Sequence, residues 1–359
     1  MSIKNTAYKI HTYLSLAICI LFTIICISGS LLVYKDELNS LFSPNTTDIM
    51  GEGRKQRLSV DELVKIINSH YKNYEIVGIN IDKNSQKNYK IWLIKHDDPQ
   101  KEWLFTYINP TNGKITLEPT PHDEGFWGIL LHVHEILLIE NGGNFIVGII
   151  GILSILVLFS GFIIYRNFYK NLFLLRRKNL AIFMSDIHKF IGVFSTPILL
   201  ATAISGIWWE FRLLFMPNFD NSNFIIDNKI YNKSISLDDL IKRANDDLKG
   251  FNTHYISLPF FDGANVRLFG YVKTQNFLFN EYSSQIIYDK TNANLVQIQD
   301  ISKQNLNEKF LETFRKAHFG NYNQFTKLLW FLAGLSPLIL TISGIYLWIK
   351  RKKFKRREN

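Results

Sequence analysis

His11 and His188 each open a long uncharged segment, and each is followed 17 residues later by a Ser-Gly pair, Ser28-Gly29 and Ser205-Gly206. The segments read IHTYLSLAICILFTIICISG and IHKFIGVFSTPILLATAISG, the mark of a duplicated unit. Two further histidines repeat the theme: His134 precedes Ser160-Gly161 by 26 residues and His318 precedes Ser343-Gly344 by 25. Neutral imidazole ligates metals, and the iron of a heme accepts one axial ligand on each face. Histidines offered at one depth by two helices are therefore what a metal or a heme needs. Depth pairs His11 with His188 and His134 with His318. A bis-histidine iron has no open position, which suits electron transfer rather than oxygen binding. A lone histidine at a membrane boundary reads as an anchor or a cap, and only the fourfold register raises these above that. His132 and His134 point roughly 200° apart on a helix, so only one of them can face a cofactor. His70, His96, His122 and His254 show no such pairing.

The elements that must position these side chains are apolar helices. Four stretches, Thr12–Val33, Asn144–Tyr165, Phe190–Trp209 and Leu328–Ile349, carry no charge. Each has the ~20 helical residues that span a bilayer core of ~30 Å. Basic residues gather in the N-terminal tail, in the loop holding Arg166, Lys170, Arg176, Arg177, Lys178 and Lys189, and in the tail from Lys350. Fifteen lysines and arginines there face only Asp186 and Glu358, while the whole chain is +10. That side is expected to be cytoplasmic, with both termini inside and both large loops outside. The high pI is thus a topology signal, and nucleic-acid binding is not expected. The first apolar run is too long for a signal-peptide core and lacks a small-x-small cleavage site, so it reads as an uncleaved span. Cys19 and Cys26 lie two helical turns apart, too far for a disulfide, and read as apolar filling.

Each half therefore runs inner histidine, span, outer segment, outer histidine, span and basic cluster, a parallel repeat. In the first outer segment Ser59-Val60-Asp61-Glu62 has capping-box form before a helix with Leu63, Val64, Ile66 and Ile67. Strands over Glu75–Ile81, Tyr89–Ile94 and Glu102–Ile108 follow, then a turn at Asn109-Pro110-Thr111-Asn112-Gly113. In the second, Ser236-Leu237-Asp238-Asp239 opens a comparable helix. Strands near Tyr255–Leu258, Asn265–Tyr271 and Gln285–Tyr288 lead to a turn at Asp289–Asn294. The expected fold is a membrane α-helical protein with four transmembrane helices in two parallel repeats, plus two small α+β extracytoplasmic domains. Its divisions are 1–35 (tail and first span), 36–125 (first outer domain), 126–166 (outer histidine and second span), 167–186 (cytoplasmic loop), 187–210 (third span), 211–312 (second outer domain), 313–349 (outer histidine and fourth span) and 350–359 (basic tail).

The helix, strands and closing turn INPTNGKI are similar to a PepSY domain. The four spans resemble the PepSY-associated transmembrane family, or iron-regulated membrane proteins. IHTYLSL, HEILLIENGGNFIVG, IHKFIGV and AHFGNYNQF carry the likeness, which covers essentially the whole chain. The family includes heme-containing ferric-siderophore reductases of the bacterial inner membrane. The resemblance implies two b hemes on His11, His188, His134 and His318, and one-electron reduction of an Fe(III)-siderophore outside the cytoplasmic membrane to release Fe(II). HEIL with Gly143 resembles the family's His-x-x-Leu followed by a glycine, which implies His134 as the ligand; a slip in alignment gives the role to His132. Membrane lipid surrounds the spans, and the electron donor is a separate cytoplasmic or membrane partner. No phosphate-binding glycine loop or dinucleotide fingerprint occurs in the short cytoplasmic segments. His134-Glu135 fails the zinc-protease pattern because Leu138 stands at its fifth position. Lys9, Lys189, Arg315 and Lys316 can pair with heme carboxylates or simply snorkel. Trp208, Trp209, Trp330 and Trp348 fit an interfacial belt, and Pro197 and Pro337 fit helix kinks. Two other readings stand beside this one: a non-enzymatic PepSY regulator of a peptidase, and an iron-chelate transporter. Spans without a charge count against the transporter.

Overall fold

A backbone surrounded by lipid must satisfy its own hydrogen bonds, so each uncharged run folds as a helix. The computed structural model describes residues 2–49, 56–81, 86–167, 170–215, 224, 226 and 230–358. Part of the second outer segment's start, including 216–223, lies outside them. The chain divides into two compact units. The first comprises Met1–Lys35, Gly125–Pro217 and Arg315–Asn359. Its long helices are α1 (Ile3–Val33), α6 (Gly143–Ile164), α7 (Leu180–Phe215) and α10 (Gln324–Glu358), with α5 (Gly125–Ile136) preceding α6. A further helix, α9 (Leu306–Phe319), leads toward α10. Among the described residues, four helices are long and apolar enough to cross a membrane, and the protein is a membrane protein.

These four pack in the cyclic order α1–α6–α7–α10. Their outer surface exposes Ile20, Ile24, Leu156, Phe159, Ile204 and Ile342, while Thr23, Ser28, Ser154, Ser160, Ser205 and Ser343 are buried between helices. Apolar outside and small polar inside is the pattern of helices packing in lipid. Pro197 and Pro337 lie inside continuous helices. Pro337 cannot donate to the Ala333 carbonyl, and the Ser336 hydroxyl donates to it instead at 2.6 Å.

The second unit, Asp36–Glu124 with Asn218–Phe314, holds together the two long segments that separate the first span from the second and the third from the fourth. Short helices α2 (Lys35–Phe42) and α3 (Pro44–Thr47) precede α4 (Val60–His70), and α8 (Leu237–Asp247) is the second-half counterpart of α4. The capping box at Ser59 and Glu62 forms. The strands are β1 (Tyr74–Asn80), β2 (Tyr89–Lys95), β3 (Leu104–Ile108), β4 (Ile115–Pro121), β5 (Phe251–Ser257), β6 (Val266–Val272), β7 (Ser284–Tyr288) and β8 (Leu295–Gln299).

Two separate small domains were expected from sequence; instead the strands form one antiparallel sheet in the order β4-β3-β2-β1-β5-β6-β7-β8. The cause is at the seam. In isolation β1 and β5 would each be an apolar edge strand, a template for pairing. They pair with each other through Gly78 with Ser257, Ile79 with Ile256 and Asn80 with Tyr255. A methyl group added at Gly78 would come within 2.1 Å of the Tyr255 hydroxyl oxygen, so the seam requires glycine. One core runs across both halves, from Leu63, Ile67 and Ile91 to Leu240, Ile256 and Leu268. The helices are tied as well. Asp61 accepts from the Leu237 N–H at 2.8 Å, and Asp238 accepts from the Asp61 N–H at 2.9 Å, so each aspartate caps the other half's helix. The free edges are β4, which carries Pro119 and Pro121, and the exposed β8.

Candidate functional site

All four histidines of the repeat belong to the helical unit, and the four Ser-Gly pairs explain how they are held. His11 on α1 lies against α6: its Nδ1 is 3.0 Å from the Val157 carbonyl and 3.2 Å from Ser160 Oγ. His188 on α7 lies against α10, its Nδ1 2.9 Å from Ser343 Oγ, with a further hydrogen bond to the Leu340 carbonyl. His318 on α9 lies against α7, with Nδ1 3.1 Å from both Ser205 Oγ and the Thr202 carbonyl. His134 on α5 lies against α1, with Nδ1 2.8 Å from the Ile25 carbonyl.

One rule generates all four seats. The glycine of a Ser-Gly pair leaves room for the imidazole, the carbonyl four residues before that glycine accepts from Nδ1, and the serine flanks it. A methyl group added at Gly161 would stand 3.3 Å from Cε1 of His11. At Gly206 the distance to His318 is 3.2 Å, at Gly344 to His188 it is 3.4 Å, and at Gly29 to His134 it is 2.6 Å. The serine hydroxyls donate to carbonyls of their own helices, Ser160 to Val157, Ser205 to Ala201 and Ser343 to Ile339. Their lone pairs are left to face the imidazoles. Ser28 differs: it donates to the Ile24 and Ile25 carbonyls and reaches His134 only through the shared Ile25 oxygen. A carbonyl can only accept, so Nδ1 carries the proton and Nε2 keeps its lone pair. That is the tautomer a metal-ligating histidine needs.

Each seat lies within one half of the chain, whereas the histidines meet across halves. The rings of His11 and His188 have centres 6.2 Å apart at 84°, and those of His134 and His318 are 6.0 Å apart at 63°. An imidazole nitrogen binds a first-row metal at ~2.0–2.1 Å, and the ring centre lies about 1.15 Å behind that nitrogen by covalent geometry. Two imidazoles on opposite sides of one metal then have centres ~6.3–6.5 Å apart. The two pairs, at 6.2 and 6.0 Å, lie slightly below this separation. Among the described residues no group of three or more His, Cys, Asp and Glu side chains gathers as a metal site. Two ligands are short of what a bare zinc ion takes and equal what a metal already bound in a macrocycle takes.

Each pair lines a cavity. The one at the pair expected from sequence to be inner, about 300 Å³, includes His11, His188, Phe22, Tyr8, Lys189 and Arg351. The one at the pair expected to be outer, about 840 Å³, includes His134, His318, Phe22, Glu210, Lys35 and Arg212. Both volumes fall in the ~300–1,000 Å³ of small-molecule sites. Phe22 and Leu199 line both and form the wall between them.

The structure brings His134, not His132, to the facing position. His132 is absent from the outer cavity's lining, and its carbonyl accepts the Leu138 N–H at 3.2 Å. The sharp turn after α5 uses left-handed Leu137 and Leu138, at φ 52° and 60°. It closes on Gly143, where an added methyl group would stand 2.2 Å from the Ile136 carbonyl oxygen. Lys189 lines the inner cavity and pairs with Asp186 at 3.2 Å. Arg315 lies over Phe319 and Lys316 over Tyr322; neither they nor Lys9 line these two cavities. Of the tryptophans, Trp209 packs on His318 with ring centres 5.0 Å apart, and Trp330 donates to the Ala317 carbonyl at 2.7 Å beside it. Trp348 lines the inner cavity and Trp208 is exposed. In the sheet unit His96 bonds to Glu75, and His70, His122 and His254 pack on aromatic rings. Sequence reasoning did not assign a role to the eight seat residues or single out Arg351, and it placed Trp209 only in an interfacial belt; the recurrence of Ser-Gly after each histidine was the available signal.

No curated protein matches the sequence. The family profile described as the PepSY-associated TM region matches residues 8–351, nearly the whole of the chain, which therefore belongs to the PepSY-associated transmembrane family.

Proposed function

We propose that the protein is a diheme transmembrane electron conduit that reduces an Fe(III)-siderophore outside the cytoplasmic membrane of a bacterium and releases Fe(II). The observation that carries this reading is the two facing histidine pairs, at 6.2 and 6.0 Å, on opposite sides of the wall at Phe22. Heme iron held by His11 with His188, and by His134 with His318, would supply reversible one-electron chemistry. The chain's own residues hold each imidazole through a carbonyl acceptor at Nδ1, joined by a serine at His11, His188 and His318, which leaves Nε2 its lone pair, and the apolar bundle excludes water. Lys189 and Arg351 at the inner cavity, and Lys35 and Arg212 at the outer, are placed to receive the carboxylates of the macrocycle. The ferric chelate is the substrate. Siderophores hold Fe(III) through hard oxygen donors, and Fe(II) is a softer, weaker partner, so one added electron loosens the chelate. Both termini are assigned to the cytoplasm, and the sheet unit is read as two PepSY-like domains fused at β1 and β5 on the outer side.

The visible spectrum of the detergent-purified protein, oxidised and dithionite-reduced, tests the reading. Two low-spin b hemes per chain are expected, and His188→Ala should remove the inner one only. A protein without a Soret band after expression with ample heme refutes the proposal.

A further inference from the structure

Four helix ends meet at the inner histidine pair, and they carry the strongest charge in the molecule. The segments are 2–11 at the start of α1, 164–189 from the end of α6 into α7, and 346–353 in α10. Among their described residues stand twelve lysines and arginines and one acid, Asp186. Asp186 is 5% exposed, and its carboxylate accepts from both Arg176 and Lys189, so it offers no negative charge to a visitor. The inner cavity lies under this face, since its lining includes Tyr8 and Arg351, both exposed.

A charge excess alone would serve membrane topology. Here Asp186, the one acid in these segments, is neutralised in place, and Lys189 and Arg351 line the cavity that also holds His11 and His188, with the other basic side chains on the same helix ends. We propose that this face docks an acidic one-electron carrier protein, bearing a flavin or an iron–sulfur group, that supplies electrons to the inner histidine pair. This rests on the diheme reading. The transfer would be of a single electron: the carrier's reduced centre would lose one electron to heme iron held by His11 and His188, which would pass from Fe(III) to Fe(II), and no atom or proton would change hands. Complementary charge steers such an encounter, raising association rates ~10–10³-fold at low ionic strength. A neutral quinol arriving through the lipid would gain nothing from the charges.

The test uses the full-length protein with its hemes in detergent and follows inner-heme reduction by stopped flow, with photoreduced flavodoxin as the acidic probe and duroquinol as the neutral one. The flavodoxin rate constant should fall about tenfold or more as ionic strength rises from about 0.01 M to 0.15 M, where the Debye length shrinks from ~30 to ~8 Å. Replacing Lys4, Arg177, Lys178 and Lys353 together by Gln should lower the low-salt flavodoxin rate by about tenfold, with heme content and reduced spectrum unchanged. A flavodoxin rate indifferent to salt and to the fourfold variant overturns the proposal. So does duroquinol reducing the heme faster than flavodoxin at low salt, or a variant that alters only binding to anionic vesicles. Absence of heme is seen before any carrier is added, and it defeats the conduit reading rather than this one.

Discussion

Replacing Gly29 by Ala isolates the geometry of one seat. The new methyl group would stand 2.6 Å from Cε1 and 2.9 Å from Nδ1 of His134, whereas ordinary contact begins at 3.4 Å, so the ring must retreat by 0.8 Å. Moving it off α1 by that much stretches the 2.8 Å bond from Nδ1 to the Ile25 carbonyl to about 3.6 Å, which is no longer a hydrogen bond. The loss of a buried bond of this kind is worth roughly 1–3 kcal/mol. The displacement also exceeds the ~0.5 Å within which a site must be held. The control is Gly344→Ala, whose methyl group lies at 3.4 Å from Cε1 of His188, already at ordinary contact. That change puts a better helix former in mid-helix, a gain of up to ~1 kcal/mol. On the diheme proposal, heme-to-protein stoichiometry, from the pyridine hemochrome assay on purified protein, should fall from two to one in Gly29→Ala and stay at two in Gly344→Ala. Equal stoichiometry in the two variants would refute the claim that the glycines make room for the imidazoles.

Ser343→Ala removes the hydroxyl acceptor at 2.9 Å from His188 and, on the same proposal, should weaken retention of the heme at His188 about 10-fold, as outer-shell losses do, measured by heme transfer to apomyoglobin; unchanged retention would leave the serine without a positioning role. Ala293 sits at φ 62°, where the matching turn in the first half has Gly113 at 71°. Ala293→Gly should therefore stabilise the full chain by roughly 0.5 kcal/mol after the unfolded-state entropy of glycine is discounted, and Gly113→Ala, whose methyl group would meet Ile66 at 2.5 Å, should destabilise it by ~1 kcal/mol or more; urea unfolding followed by tryptophan fluorescence checks both. Glu62, hydrogen-bonded by the Ser59 N–H, Asp98, by the Glu102 N–H, and Asp289, by the Thr291 hydroxyl, all have pKa values below the ordinary range. Their contribution to stability should be complete above about pH 4–4.5 and lost as the pH falls through their lowered values. A sheet unit whose unfolding midpoint stays flat between pH 5 and pH 2 (roughly the window these shifts define) would contradict that.

The spans were legible because lipid imposes length and composition on any segment that crosses it, and because charge cannot be hidden there. The pairing of His11 with His188 and of His134 with His318 followed from the same signal. What could not be read was lateral: which helix receives which ring. Ser28-Gly29 appears in sequence as the exit of the helix that His11 opens, yet it receives His134, because seats form between neighbouring helices and not along one. The choice between His132 and His134 depended on the rotation of α5, which a two-residue ambiguity leaves open in sequence. The strands β4 and β8 were missed for a different reason. Pro119 and Pro121 break the strand signal in one, and the other buries almost nothing, so in each the apolar alternation is short, Ile115 and Leu117 in β4 and Val296 and Ile298 in β8. The joining of β1 to β5 leaves no trace in composition, since an apolar edge reads the same whether or not it finds a partner.

A single half of this chain contains every seat it needs and neither of the pairs. It would present one oriented imidazole at each depth with nothing opposite, and one sheet edge at β1 or β5 left open. Two copies related by a twofold axis would repair all three defects, which is the symmetry a homodimer offers. Fusion of the halves makes that encounter intramolecular and independent of protein concentration. It also frees the two copies to diverge, as the outer seats already have: His318 leans on a serine, and His134 on a bare carbonyl.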